Sequence, residues 1–420
     1  MNEEPIPFNI ITKPIGAICN LDCEYCFYLK KQRLYPESHN FKMTDEVLEN
    51  YIQQYLDQPS NQITFTWQGG EPTLMGLDFY EKVIRIQEKF NIGNKKIYNT
   101  LQTNGVRLDD DWALFFKEHN FLVGVSIDGP EQYHNKLRFF KSGKDSFDSV
   151  MRGINYLKKY EVDYNIICCL NRFNADYPFE LYDFFMEESG TNYWQFIPIV
   201  ERKLGTNDMT DYSVQPGQFG RFLVNIFNRW IRNDVGQISI QIFDVAFRVF
   251  MGLNPGLCIF EETCGNNLAI EHNGDLFSCD HYVETDYLLG NIKRDDMMDM
   301  VCSDKQMIFG ENKKASLPEY CRKCDVRQLC NGGCPKNRFV QTPEGETGLN
   351  YLCAGYKKLF SYIKPYMKFL SMNYQRNVPL DEITAYIKQY PDEFMDHYPH
   401  RNELCFCGSG KKFKKCCMIN

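Results

Sequence analysis

Three cysteines, Cys19, Cys23 and Cys26, lie in the run Cys-Asn-Leu-Asp-Cys-Glu-Tyr-Cys-Phe-Tyr, close behind a short apolar stretch, with no fourth cysteine near enough to complete a set. A closed structural zinc site takes four ligands, and iron–sulfur clusters are normally held by four thiolates. Three thiolates around a four-iron cluster leave one iron open, so an incomplete set suggests that a substrate or cofactor binds the bare iron. The bland alternatives are a partial zinc site or three structural thiols.

The chain alternates strand-like and helix-like stretches. Short β-rich runs fall at 9–12, 63–67, 96–102, 122–127, 164–170 and 193–199, and stretches of helical length and spacing fall between them, as at 44–56, 78–90 and 147–160. Six βα units predict a parallel sheet. The cysteine loop then follows the first strand, and the carboxyl ends of such strands are where βα barrels build their sites.

Composition sets the compartment. At 420 residues the chain exceeds one ordinary core, and its net charge of −8, without a basic stripe outside the last residues, gives no reason to expect a nucleic-acid partner. The start, Met1-Asn2-Glu3-Glu4, is acidic and unlike an export signal, and no uninterrupted apolar stretch is long enough for a membrane helix. Eighteen cysteines under those conditions point to metal rather than disulfides, and to a reducing, oxygen-poor cytoplasm.

The spacing C-x3-C-x2-C, with an aromatic before the third cysteine, resembles the signature of radical S-adenosylmethionine (SAM) enzymes. That resemblance implies a partial (β/α)6 barrel and a SAM molecule on the open iron. Gln68-Gly69-Gly70-Glu71-Pro72, after the second strand, matches the motif by which the superfamily receives the methionine amino group. Glycines let a backbone approach a ligand, and a carboxylate accepts from an ammonium. Ser126-Ile127-Asp128-Gly129-Pro130 resembles a SAM-contacting segment, Arg138 is the expected partner of the SAM carboxylate with Arg152 competing, and Tyr28 and Val200 would lie near the adenine. An apolar residue at 200 is equally a core residue.

Eight further cysteines, Cys258, Cys264, Cys279, Cys321, Cys324, Cys330, Cys334 and Cys353, read C-x5-C-x14-C, a gap, C-x2-C-x5-C-x3-C, a gap, and C. This is similar to a SPASM domain, which carries two auxiliary 4Fe–4S clusters. The resemblance gives Cys258, Cys264, Cys279 and Cys334 to the nearer cluster and Cys321, Cys324, Cys330 and Cys353 to the farther one. Two zinc ribbons are the alternative. Glu271-His272-Asn273-Gly274-Asp275 predicts a hairpin that would present Cys279 on its second strand.

Leu101-Gln102-Thr103-Asn104-Gly105, Ser278-Cys279-Asp280-His281-Tyr282 and Gly348-Leu349-Asn350-Tyr351-Leu352-Cys353 narrow the resemblance to anaerobic sulfatase-maturating enzymes, over about the first 370 residues. Such enzymes oxidise one cysteine or serine of a sulfatase to Cα-formylglycine. An electron from the cluster cleaves SAM, and the radical formed removes a hydrogen atom from the target's β-carbon. Asp280 is then the expected base for the target's thiol or hydroxyl proton, with His281 a weaker candidate and a turn or cap role as the structural reading. Gln102, Thr103 and Asn104 would hydrogen-bond an extended peptide or simply close the turn before Gly105. The expected substrate is an unfolded sulfatase polypeptide met before export, and the expected reductant a low-potential donor such as flavodoxin or ferredoxin. A maturase that cross-links another ribosomally made peptide is the nearer alternative, and a non-enzymatic zinc-binding interaction protein the remote one.

The chain ends in a motif of its own. Cys405, Cys407, Cys416 and Cys417, in C-x-C-x8-C-C order among lysines, fit a tetrahedral Zn²⁺ site and resemble the SEC-C tail, with an export chaperone as the suggested contact. Cys168, Cys169 and Cys302 fit no pattern and read as buried structural thiols. The expected organisation is a barrel over 1–245, a SPASM domain over 246–376, a connector over 377–400 and the zinc motif over 401–420.

Overall fold

The computed structural model describes residues 7–37, 40–206, 208–394, 402 and 411–415. They divide into two compact units, one built from 1–127, 134–166 and 263–312, the other from 128–133, 167–262 and 313–420. The four cysteines of the C-terminal motif lie outside the described residues.

In the first unit, β1 (Asn9–Lys13), β2 (Gln62–Trp67), β3 (Lys96–Thr103) and β4 (Leu122–Ser126) form a parallel sheet in that order. Burial alternates along β2, so that Ile63, Phe65 and Trp67 turn inward. Tyr51 and Tyr55 of the helix Asp45–Leu56 meet the Phe65 ring at 5.6 and 5.0 Å. Thr44 caps that helix by accepting from the Val47 N–H, so it precedes the helix rather than opening it. β5 (Tyr164–Leu170) begins in the first unit and ends in the second. β6 (Tyr193–Pro198) and β7 (Ser239–Ile240) are a parallel pair in the second. Each expected strand lies within one residue of the observed one.

The sheet of the first unit also extends beyond β1. β8 (Asn267–Glu271), from the cysteine-rich half of the sequence, pairs with β1 in parallel and sets Glu271 opposite Lys13. β9 (Asp275–Phe277) and β10 (Leu288–Asn291) continue antiparallel. The expected hairpin is therefore present, but it joins the sheet of the first strands. Cys279 is not on its second strand. β9 ends at Phe277, the Ser278 N–H bonds to Tyr287 O, and Cys279 precedes a single 3-10 turn, Asp280–Tyr282.

The second unit is mainly helical. The helices Pro216–Asn233 and Cys353–Gln375 cross closely because Gly220 and Gly355 meet: a Cβ on Gly355 would lie 2.5 Å from Pro216 O. Phe219 against Tyr356 and Phe227 against Tyr366, at 5.3 and 5.5 Å between ring centroids, fill the seam. Of the unassigned cysteines, Cys168 is buried and Cys169 half-buried on β5. Cys302 corrects the expectation: it follows the helix Met297–Val301 and is exposed. Among the described residues no helix is long and apolar enough to cross a membrane.

Candidate active site

The three-cysteine loop leaves the end of β1 and is held from two directions. Asp22 N–H donates to Phe139 O and Glu24 N–H to Leu137 O, both at 2.9 Å. The Gly-Gly-Glu segment bonds to the chain just before the cysteines, Gly70 N–H to Gly16 O and Glu71 N–H to Ile18 O, both at 2.8 Å. A Cβ at Gly70 would lie 1.9 Å from Ile18 O, so no other residue fits there without moving backbone. This close approach is what the pair of glycines provides.

Glu71 is held by the strand ends around it. Its carboxylate is fully buried and accepts from Thr73 N–H at 3.0 Å, the Thr73 hydroxyl at 2.6 Å, the Thr103 hydroxyl at 2.8 Å and Asn104 N–H at 2.8 Å. Three of these donors converge on Oε1 and only the Asn104 N–H reaches Oε2, so Glu71 ties the ends of β2 and β3 together while Oε2 keeps room for one further donor. Burial pushes its carboxyl above the ordinary range, against the hydrogen bonds that pull it down. Thr103 and Asn104 are correspondingly buried and turned inward rather than displayed to a peptide. The Asn104 amide donates to Asn20 Oδ1 at 2.8 Å and reaches Cys19 Sγ at 3.7 Å. Gln102, half-buried, donates to the Ser126 hydroxyl at 3.1 Å and fills the space that Gly124 leaves.

Cys19 is the most constrained of the three thiols. Burial first, then the Glu71 charge, raises its pKa to about 11. A thiol so placed is a metal ligand only if the metal's charge compensates the thiolate. Arg138 is buried beside this loop and donates to the Tyr25 hydroxyl at 2.6 Å. Arg152 is exposed on the helix Phe147–Lys159. In the second unit, Asp128 is buried and accepts from Cys169 N–H at 2.9 Å, and Val200 is buried.

Around Asp280 the structure assembles groups that no motif announces. Lys13, at the end of β1 and 1% exposed, forms an ion pair with Asp280 Oδ1 at 2.5 Å. The same ammonium sits 4.3 Å from the centroid of the Tyr28 ring. The Tyr28 hydroxyl donates to Glu271 Oε1, and Glu271 Oε2 is 3.1 Å from His272 Nδ1. The β1–β8 pairing produces this row, because it sets Lys13 beside Glu271. Burial and the Glu271 charge hold the Tyr28 phenol well above its ordinary range, so it stays a donor. The Tyr28 ring packs among Ala269, Phe277 and Val283, which fixes the end of the cysteine loop to β8 and β9. His281 meets the Phe27 ring edge-on at 5.6 Å. A lysine closing an otherwise apolar strand, at the end where βα sites are built, is the signal that would have found Lys13.

The eight later cysteines divide differently. Cys321, Cys324, Cys330 and Cys353 line one small cavity in the second unit, with Leu349 and Lys357. Burial raises Cys330 and Cys353 to about 12, with neighbouring cysteines adding to it. Four thiols facing one cavity, each disfavoured as an isolated thiolate, fit a cationic cluster that neutralises them together. Cys353 is the first residue of its 23-residue helix, where the positive end of the helix dipole favours a thiolate. Of the other set, Cys264 and Cys279 belong to the first unit and Cys258 and Cys334 to the second. Cys264 N–H donates to Gly310 O, and Lys313 Nζ to Cys258 O.

Comparison with known proteins agrees in each region. Residues 14–185 match the radical SAM superfamily, 258–325 an iron–sulfur cluster-binding (SPASM) domain, and 401–419 the SEC-C motif. The chain is 46% identical over 379 residues to a serine-type anaerobic sulfatase-maturating enzyme of Bacteroides thetaiotaomicron, covering 87% of this chain and 91% of that protein. It is 35% identical over 365 residues to a cysteine-type counterpart of Clostridium perfringens, covering 86% and 97%. The solved structure of native anSMEcpe with bound AdoMet and Cp18Cys peptide superposes with a TM-score of 0.79 at 35% identity, over 88% of this chain and 99% of that one.

Proposed function

The chain belongs to the anaerobic sulfatase-maturating enzymes of the radical SAM superfamily, and from that premise we propose that it oxidises one serine or cysteine of a sulfatase to Cα-formylglycine. It is an enzyme of 4Fe–4S clusters and SAM that acts on a peptide. The observation that carries the reading furthest is the buried Lys13–Asp280 ion pair directly beside Cys279.

In this reading Cys19, Cys23 and Cys26 would hold the cluster on which SAM binds, the segment Gln68-Gly69-Gly70-Glu71 would receive the SAM amino group, and Arg138 would take its carboxylate. Tyr28, Ser126 and Val200 complete its surroundings. When bound, cluster and SAM together supply abstraction of one hydrogen atom from the target's β-carbon. The target must also lose one proton from its hydroxyl or thiol and one electron. Asp280 accepts the proton at a carboxylate oxygen, and Lys13 holds that carboxylate in position. Burial around Lys13 and Tyr28 keeps bulk water from competing for the same oxygen. Cys258, Cys264, Cys279 and Cys334 would hold one further cluster and Cys321, Cys324, Cys330 and Cys353 another, three in all, and the two would supply acceptors for that electron.

Three parts of the proposal lie beyond this chemistry. The reductant is a low-potential flavodoxin or ferredoxin. The substrate is an unfolded sulfatase chain in the cytoplasm. Cys405, Cys407, Cys416 and Cys417 hold Zn²⁺ and contact an export chaperone.

The test is mass spectrometry of a Cys-x-Pro-x-Arg peptide and its serine version after anaerobic incubation with reconstituted enzyme, SAM and dithionite. Aldehyde should form, and Asp280→Asn should lower it by about 10²–10⁴-fold while 5′-deoxyadenosine still accumulates. An unchanged peptide with abundant 5′-deoxyadenosine would transfer the activity to another peptide substrate.

A further inference from the structure

Four thiolates account for how the small cavity of the second unit would hold a cluster, but not for the charge set beside it. Lys357 lines that cavity with Cys321, Cys324, Cys330 and Cys353, and it is half-buried. The helix Cys353–Gln375 puts it there, because Cys353 and Lys357 are four residues apart and so share one face of the helix. Two other cations near this set are already engaged. Arg327 pairs with Glu262 at 3.6 Å, and the Arg338 guanidinium donates to the carbonyls of Lys313, Asn331, Gly332 and Gly333, closing the turn between Cys330 and Cys334. Lys357 has no carboxylate partner among the described residues, and its ammonium lies 5.4 Å from the centroid of the Tyr320 ring.

Acids also approach, from the outer side. Glu319, Asp325, Glu344 and Glu346 line an open depression that Lys357 and Cys324 share with the inner cavity. Glu319 pairs with Lys323 at 3.2 Å, and Glu346 accepts from the N–H groups of Glu319 and Tyr320. Asp325 reaches a thiol, with its Oδ1 3.7 Å from Cys324 Sγ. All four acids are exposed, whereas Lys357 is half-buried, so water and salt screen the acids more than the lysine.

We infer that Lys357 raises the reduction potential of the cluster assigned to Cys321, Cys324, Cys330 and Cys353, with Asp325 as a weaker charge of opposite effect. One arriving electron makes the cluster and its thiolates more negative by one charge; no bond forms or breaks and no proton moves. A fixed and partly desolvated cation stabilises that reduced form more than the oxidised one. The electron is the one that the target gives up in the proposed function, and Lys357 makes this set hold it more strongly. The inference rests on the clusters of that reading and not on its substrate.

The experiment is a redox titration of the iron-loaded full chain followed by electron paramagnetic resonance, reading the signal of reduced iron that Cys330→Ala removes. Lys357→Met should move the midpoint of that signal to more negative potential by at least a tenfold loss of electron affinity, about 59 mV for a one-electron couple. Lys357→Arg should stay near the wild type, which a lysine used only for packing would not require. Asp325→Asn should move the midpoint the other way by a smaller amount, and the signals that survive Cys330→Ala should keep their midpoints throughout. A midpoint unmoved by Lys357→Met overturns the inference, and so does a shift of equal size in Lys357→Arg. Should Lys357→Met fail to hold iron, Asp325→Asn still decides, since a midpoint no higher than that of the wild type overturns the inference. A wild type without any signal that Cys330→Ala removes overturns the cluster assignment itself, and the inference with it. A peptide left unoxidised while the midpoints shift as expected would count against the proposed substrate alone.

Discussion

The two cysteine sets held within single units show opposite designs. Cys321, Cys324, Cys330 and Cys353 converge on a small cavity and complete a set of four. Cys19, Cys23 and Cys26 stop at three, with a hydrogen-bonded cradle on one side and an open depression on the other. Burial disfavours an isolated thiolate at Cys19 as it does at Cys330 and Cys353, so the difference is one of access and ligand count. A closed set suits passing an electron onward. An open one suits binding a cofactor and receiving an electron.

That contrast breaks most sharply by substitution. Cys19→Ala should abolish both 5′-deoxyadenosine and aldehyde, by at least about 10³-fold, with a matching loss of iron; chromatography and iron analysis on one sample check it. Cys330→Ala should also lower iron, but leave SAM cleavage standing while aldehyde falls. If both variants lose SAM cleavage equally, the two sets are not functionally distinct.

Lys13→Met should come next. Lys13 is buried but Asp280 is 14% exposed, so the loss of stability should fall below the about 3–5 kcal/mol of a fully buried pair, and a denaturant titration reads it. The ratio of aldehyde to 5′-deoxyadenosine should fall as well, because Asp280 loses its anchor. Lys13→Arg should recover part of that ratio, which a merely structural lysine would not require. The smallest expected effect is that of deleting 401–420. Rates on a short peptide should stay within about twofold, since the tail holds none of the residues assigned to the peptide chemistry, whereas the rate on a full-length sulfatase should fall; equal rates on both substrates would remove the proposed role of the tail.

The strands of the parallel sheet were legible because alternation and β-branched or aromatic content mark them locally, as in the run 62–67. The cysteine loop and the glycine pair were legible because spacing alone carries them. What escaped the sequence was pairing over long distances. Nothing local says that 267–271 lies beside 9–13, and so neither the Lys13–Asp280 pair nor the Tyr28–Glu271–His272 row was visible. Glu71, Thr103 and Asn104 were found separately, but the hydrogen bonds from Thr103 and the Asn104 N–H to Glu71 that join them are a pattern separate motifs do not reveal. Cys302 was misread as buried because a short helix end with a cysteine looks like core when its exposed side is unknown.

The register of β1 against β8 has a consequence for how the chain matures. Their partners are some 258 residues apart, Asn9 opposite Asn267, so β1 keeps one edge unpaired until well over half of the chain has been made. Contacts of such separation form late and slow folding, and an unpaired edge strand invites association with other chains meanwhile. The ion pair proposed to organise catalysis is therefore among the last contacts to close, and a chain stalled before residue 267 would carry its first three cysteines and the open edge together.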